Sequence, residues 1–263
     1  MTIKFGLLTN PTNDILEEIK LIHKLGFDYV EVGIEFPGGS PEFLIDYKKK
    51  IRELIDRFNY PALAHTAWWI DFGSLYEIIR KGWVEEAKLC IDAAKALNID
   101  KINFHFYSMG LDNKSYRKDV LRNIVKSLKE VVRYADSKGI IVFLENTPNK
   151  KSLVSIKEYK FVIDSVPKLK VHLDTGHAFV ENGMAGIRDY IFAFKNKLEH
   201  IHIHDNHGQG DEHLPLGKGK INFEQIAKWM KQINYDKTMT FEVFTNKEDA
   251  RTSMSHFRKL LSK

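Results

Sequence analysis

Residues 169–179 read LKVHLDTGHAF and residues 198–206 read LEHIHIHDN. Each stretch opens on a short strand candidate, Leu169 to Asp174 and Leu198 to His204, and each closes on side chains that ligate metals or carry protons. One helix's worth of chain separates them, so together they spell a βα unit with its chemistry at the carboxyl end of the strand. Side chains alternate across a strand, which puts His200, His202 and His204 on one face and Ile201 with Ile203 on the other.

The same rhythm runs outward in both directions. Further strand candidates are Ile3 to Thr9, Tyr29 to Ile34, Ala62 to Trp68, Lys101 to Tyr107, Ile140 to Thr147 and Thr238 to Phe244, with amphipathic stretches between them. Helix starts carry their own marks. Ser40-Pro41 sets a capping oxygen before a proline at the first helical position, where the missing N–H costs nothing. Ser74 with Glu77, Ser155 with Glu158, and Asn222 with Gln225 have capping-box spacing. Gly26 and Gly139 sit where helices stop before strands two and five. Eight α/β units in a row close most simply into a (β/α)8 TIM barrel, one domain over residues 1–263. An open doubly wound sheet would place a Gly-rich phosphate turn after strand one, and Leu7 to Pro11 has none, so no organic cofactor is expected.

With 263 residues and 43% of them hydrophobic, the chain can bury a sizeable core. Its 40 Lys and Arg against 35 Asp and Glu leave a formal charge of +5. Nowhere do eighteen apolar residues run together, and the first ten make a short strand rather than a secretory core. One cysteine, Cys90, excludes an internal disulfide and a Cys-rich metal site. The expectation is a cytoplasmic protein without a membrane span, an oligomeric state left open, and any metal held by His and carboxylates.

A barrel of this kind builds its site at the carboxyl ends of its strands. In order, those ends offer Glu35, His65, His105, Glu145, Asp174 with His177, His202 with His204, and Glu242; the loop after strand seven adds Asp205, His207, Asp211 and His213. His23, His172, His200 and His256 are read as lying away from this rim, and His204 and His207 as solvent-wetted loop residues. Carboxylates buried side by side are costly unless a cation neutralises them or they stay protonated. Glu145, Asp174, His202 and Glu242 make a set that a divalent cation would satisfy, and its hard, oxygen-rich character suits Mn²⁺, Co²⁺, Mg²⁺ or Zn²⁺. Without an ion the same four would be a buried hydrogen-bonded network.

On Leu144-Glu-Asn-Thr147, His172 to Phe179, His202 to Asn206, Asp211 to Gly219 and Phe241-Glu242-Val243, the chain resembles the xylose-isomerase-like TIM-barrel superfamily, which holds sugar isomerases and epimerases alongside endonuclease IV. The sugar branch implies a metal quartet of Glu145, Asp174, His202 and Glu242. It implies proton transfer through a metal-bound enediolate of a small ketose or aldose. Glu145 and Glu242 would be the catalytic pair and His177 a contact to substrate oxygens. His65, His105, Trp68 and Glu35 would complete the substrate pocket. An Arg that some epimerases carry shortly after the strand-seven His is missing, because His207-Gly208 occupies that place.

Endonuclease IV is the rival, a zinc-dependent enzyme that cleaves DNA at abasic sites. It implies further ligands at His65, His105, His177, Asp211 and His213, joining the quartet around three ions. The strand-to-helix loops weigh against it. They carry the acids Glu35, Asp71, Asp112, Glu181, Asp205, Asp211, Glu212 and Glu248, against the bases Lys114, Lys150, Lys151, Lys218, Lys220 and Lys247, with no Arg. A DNA enzyme needs phosphate-neutralising cations around its site. Trp68-Trp69 could wedge a duplex or lid a sugar ring. The expected partner is therefore a small sugar rather than nucleic acid.

Overall fold

The computed structural model describes residues 2–148 and 155–263. Eight parallel strands, β1 (Lys4–Leu8), β2 (Tyr29–Ile34), β3 (Leu63–Thr66), β4 (Lys101–His105), β5 (Ile141–Glu145), β6 (Lys170–Asp174), β7 (Leu198–Ile203) and β8 (Thr238–Phe241), pair in sequence order. The ring closes where β1 meets β8, with Lys4 opposite Thr238 and Leu7 opposite Phe241. Outside it lie α1 (Ile15–Lys24), α2 (Pro41–Asp46), α3 (Lys48–Ile55), α4 (Glu77–Ala96), α5 (Arg117–Ser137), α6 (Ile156–Ser165), α7 (Thr175–Phe194), α8 (Phe223–Gln232) and α9 (Lys247–Ser262). The fold is a single (β/α)8 TIM barrel.

Alternation along the strands decides what faces where. Val30, Val32, Ile102, Phe104, Leu144, Val171, Leu173, Ile201 and Ile203 point outward into one continuous apolar layer under the helices. The α5 stripe of Leu121, Ile124, Leu128 and Val131 packs into that layer, and Cys90 of α4 is buried within it. The inward residues are mostly polar. At the amino end of the barrel Gly6 makes room for the Tyr29 ring: a Cβ at residue 6 would lie 2.2 Å from it.

Three helix starts fall where the sequence marks them. The Ser40 side chain accepts from the Phe43 amide ahead of Pro41. Glu158 accepts the Ser155 amide at 3.0 Å, and Asn222 Oδ1 accepts from the Gln225 amide at 3.0 Å. Gly26 and Gly139 both take positive φ, 80° and 74°. The Ser74 box does not form. Helix α4 begins at Glu77 with no side-chain cap; the Ser74 carbonyl takes the Asn123 amide nitrogen, and the Glu77 carboxylate turns to Arg80. No helix among the described residues is long and apolar enough to cross a membrane.

Candidate functional site

Four elements that are distant in the chain deliver the quartet to one point. Glu145 ends β5, Asp174 ends β6, His202 lies in β7, and Glu242 follows β8; all are buried, and their ligand atoms lie within 4.8 Å of one another. His202 Nδ1 is 3.2 Å from Glu242 Oε2, 3.9 Å from Glu145 Oε1 and 4.0 Å from Asp174 Oδ2. Asp174 Oδ2 has no hydrogen-bond partner. Its other oxygen caps α7, accepting from the His177 amide at 2.6 Å, so the helix start fixes which oxygen faces the cavity. Asn146 brackets the same residue, donating to the Asp174 carbonyl and accepting its amide.

Two further groups adjoin the quartet. His65 Nε2 and His105 Nε2 approach Glu145 Oε2 at 3.4 and 3.2 Å. On the other side, Asp211 Oδ2 lies 3.1 Å from His177 Nε2 and 2.9 Å from His213 Nε2. The second nitrogens of this pair bond backbone carbonyls, His177 Nδ1 that of Asn146 and His213 Nδ1 that of Glu242. Every side chain that the sequence proposes as a ligand therefore enters one contiguous cluster.

Two histidines lie where the sequence reading did not put them. His204 is fully buried, not solvent-wetted: its Nε2 is 3.2 Å from Asp174 Oδ1, and its ring stacks on His213 at 4.1 Å. Gly176 makes this possible, because a Cβ there would lie 2.0 Å from the His204 ring. His172 is not away from the site either. It faces inward beside Glu145, with Nδ1 3.3 Å from Oε2. Asn103, Glu31 and His200 are further inward residues that the reading of strand ends passed over. Asn103 Nδ2 donates to Glu145 Oε2 at 2.6 Å. His207, by contrast, is exposed and paired with Glu212, as a loop residue should be.

The charge of the cluster is concentrated and poorly solvated. Burial favours the protonated form of Glu145, yet the imidazoles of His172, His105 and His202 outweigh it and hold the carboxyl well below its usual range. The same contest leaves Glu242 at about 2, with His202 and His213 as the main lowering influences. Burial opposes charge on His177 and His202, but Asp174 and Asp211 around the first, and Glu31 and Glu242 around the second, raise both well above the imidazole norm. At His105 burial outweighs the pull of Glu145 and pushes the ring down to about 4. Protons on His177 and His202 thus supply part of the positive charge that a cation would bring to these carboxylates.

The donor set fits a divalent ion. Three carboxylates and an imidazole converge, with an unpartnered buried oxygen aimed into the gap between them. Oxygen-rich sets with one nitrogen accept Mn²⁺, Mg²⁺, Co²⁺ or Zn²⁺.

Above the cluster opens a cavity of about 860 Å³. Glu35, half-buried, and Trp68, 52% exposed, line its wall, and the Trp68 indole meets Tyr107 edge-on at 5.2 Å. Lys247 also lines it, its ammonium held by Glu18 at 2.6 Å. Lys150 and Lys151 lie outside the described residues.

A closed parallel barrel with a His and carboxylate cluster at its mouth defines a class of TIM barrels with polar rather than aliphatic rims. The chain belongs within it to the xylose isomerase-like TIM barrel family, whose pattern matches residues 19–260. It is 27% identical to the probable endonuclease 4 of Aquifex aeolicus over 93% of this chain and 92% of that one. To the fructoselysine 3-epimerase of Shigella flexneri it is 26% identical over 90% of both. A solved D-tagatose 3-epimerase-like protein superposes with a TM-score of 0.86 at 26% identity, covering 99% of this chain and 97% of the other.

Proposed function

We propose that the protein is a divalent-metal-dependent sugar isomerase or epimerase that moves a proton on a small ketose or aldose. The observation that carries this reading is the convergence of two buried carboxylates, Glu145 from β5 and Glu242 after β8, on one ion-sized gap beneath a walled cavity. Glu145, Asp174, His202 and Glu242 would hold the ion. When bound, the ion supplies Lewis acidity that loosens a C–H bond next to the substrate carbonyl.

Glu145 accepts that proton. Its Oε2 is gripped by Asn103, which leaves Oε1 as the free edge. Glu242 returns a proton from the other side, either to the same carbon or to its neighbour, and that choice separates epimerisation from isomerisation. His177, held by Asn146 and Asp211, presents its ring to the substrate oxygens and steadies the charge that grows there. The indole of Trp68 offers the apolar face of the sugar a flat partner. His65, His105 and Glu35 complete the polar wall. The cytoplasmic placement expected of a chain with a single cysteine goes with this reading.

Its test is deuterium uptake from solvent by a panel of unphosphorylated ketoses and aldoses incubated with the metal-loaded protein. Exchange is expected on at least one sugar, and Glu145→Gln or Glu242→Gln each reduce it by about 10²–10⁴-fold, the usual worth of a positioned acid or base.

A second reading has its own observation. His65 and His105 on Glu145, with His177 and His213 on Asp211, supply ligand positions beyond the four that one ion needs. Three zinc atoms per chain by elemental analysis, nicking of abasic DNA, and no exchange on any sugar would establish an endonuclease IV-like activity instead. One manganese or cobalt per chain supports the sugar reading.

A further inference from the structure

TIM barrels ordinarily stack branched aliphatic side chains inside. Directly beneath this metal site the barrel does not. Two residues before His105, Asp174 and His202, on the same inward faces, lie Asn103, His172 and His200, and β2 adds Glu31 from across the barrel. All four are buried. Glu31 Oε2 sits between two imidazoles, 3.0 Å from His202 Nε2 and 3.2 Å from His200 Nε2. The far side of the His200 ring is pinned by Thr238 Oγ1 at 2.8 Å.

Once an ion takes the place of a proton at Nδ1, this arrangement selects the tautomer of His202. An ionised carboxylate only accepts, so Nε2 of His202 must carry the hydrogen. In the neutral ring the lone pair then lies on Nδ1, the atom that faces Glu242, Glu145 and Asp174. The opposite tautomer would set two acceptors against each other at 3.0 Å and turn an N–H towards the ion.

We propose that Glu31 is the positioning carboxylate of the metal centre. It selects the His202 tautomer that offers Nδ1 to the ion, and His200 with Thr238 holds Glu31 in place. A second ion among His172, His200 and His202 is the competing use of these rings. It would require His202 to give up both ring protons, and Glu31 already takes Nε2–H, so the layer is support rather than a further site. Burying a carboxylate this deeply is unfavourable in itself. A layer meant only for packing would be better filled by leucine or glutamine, and Glu31 makes sense as the anion behind a metal-bound imidazole. The inference rests on the quartet holding an ion, not on which reaction follows.

Its test needs no turnover. Zinc affinity is measured by chelator competition for the full-length protein and for Glu31→Gln, which keeps the shape and removes the charge. The expected result is a dissociation constant raised 10–100-fold, the usual effect of losing such a partner, with the melting temperature of the metal-free variant no lower than that of the parent. A dissociation constant within twofold of the parent overturns the assignment. Because a buried substitution can compromise folding, a second measurement uses the unaltered chain. In zinc-loaded protein with ¹⁵N-labelled histidine, the proton of His202 is expected on Nε2; a proton on Nδ1 overturns the proposal. A parent protein that binds no zinc defeats the quartet as well. One that binds zinc while Glu31→Gln is unaffected defeats only the role of Glu31.

Discussion

Two charge clusters in this molecule are built on opposite plans. Between α4 and α5, the Arg80 guanidinium has no exposed surface, yet its donors are met. Nε and Nη2 reach Glu77 at 2.8 and 3.0 Å, Nη2 also reaches Glu130 at 3.2 Å, and Nη1 reaches Ser127 at 2.8 Å. Ser127 passes its own hydrogen to the Phe72 carbonyl. At the barrel mouth the opposite holds. The eight buried side-chain atoms without a hydrogen-bond partner among the described residues are those of Glu31, His65, Asn103, His105, His172, Asp174 and His204, and all line the barrel interior. A native structure keeps few such atoms, because each carries a desolvation penalty of about 1–3 kcal/mol. Those of His65, His105, Asp174 and His204 adjoin the proposed ion site, and those of Glu31, Asn103 and His172 lie in the layer beneath it. The saturated cluster ties two helices together, and the unsaturated one surrounds the proposed site.

The contrast breaks most readily at the barrel mouth. Adding a divalent ion to metal-stripped protein at about a thousandfold excess over its dissociation constant should stabilise the fold by about 4 kcal/mol, read as a rise in melting temperature. Asp174→Asn should erase the rise. If neither protein responds to Mn²⁺, Co²⁺, Mg²⁺ or Zn²⁺, the unpartnered atoms have another explanation. The Arg80 cluster should behave in reverse. Arg80→Ala takes one donor from Ser127 and leaves a void between α4 and α5, at a cost of about 3 kcal/mol in a urea titration. Metal affinity should stay within twofold. Arg80→Met, which fills the space without a charge, should recover most of the loss, because Glu77 and Glu130 keep their access to solvent.

The outer architecture was legible because it follows from local rules. Alternating faces, a helix length between strands and capping residues at the turns define eight units, and the strand ends then name the candidate ligands. What escaped reading lay one step deeper. Asn103, His172 and His200 each stand two residues before a named ligand, so the period that placed the ligands inward also placed these inward. The sequence already put His200 on the face of His202, and attention to the strand ends hid Asn103 and His172. Glu31 gives less warning, since Glu35 at the end of the same strand is the more conspicuous acid. His204 was misjudged because its burial depends on a residue far away in sequence, the side-chain-free Gly176. The Ser74 box failed because Arg80, one turn along α4, and Lys126 of α5 hold the carboxylate that would have closed it. The break in α7 at Asn182 and Gly183, with φ of 58° at the glycine, belongs with these context-dependent features.

The mildest test asks whether a saturated pair responds to protons while remaining indifferent to metal. Arg117 grips both oxygens of Glu158, at 2.6 Å through Nε and 2.8 Å through Nη2, joining the start of α5 to the first turn of α6. Partial burial raises the Glu158 carboxyl, but Arg117 and the Ser155 amide overcome it, so the folded value lies below the ordinary 4.5. A group with a depressed folded value contributes stability above its unfolded value, and that contribution disappears as pH falls through the folded one. The Glu158 side chain is 22% exposed, so solvent screening limits the contribution to about 1 kcal/mol. In urea titrations the parent should therefore exceed Glu158→Gln by about that amount at pH 7, with the gap shrinking below pH 4.5 and unchanged by added metal. A gap that widens on acidification would mean that Glu158 is held protonated in the folded state.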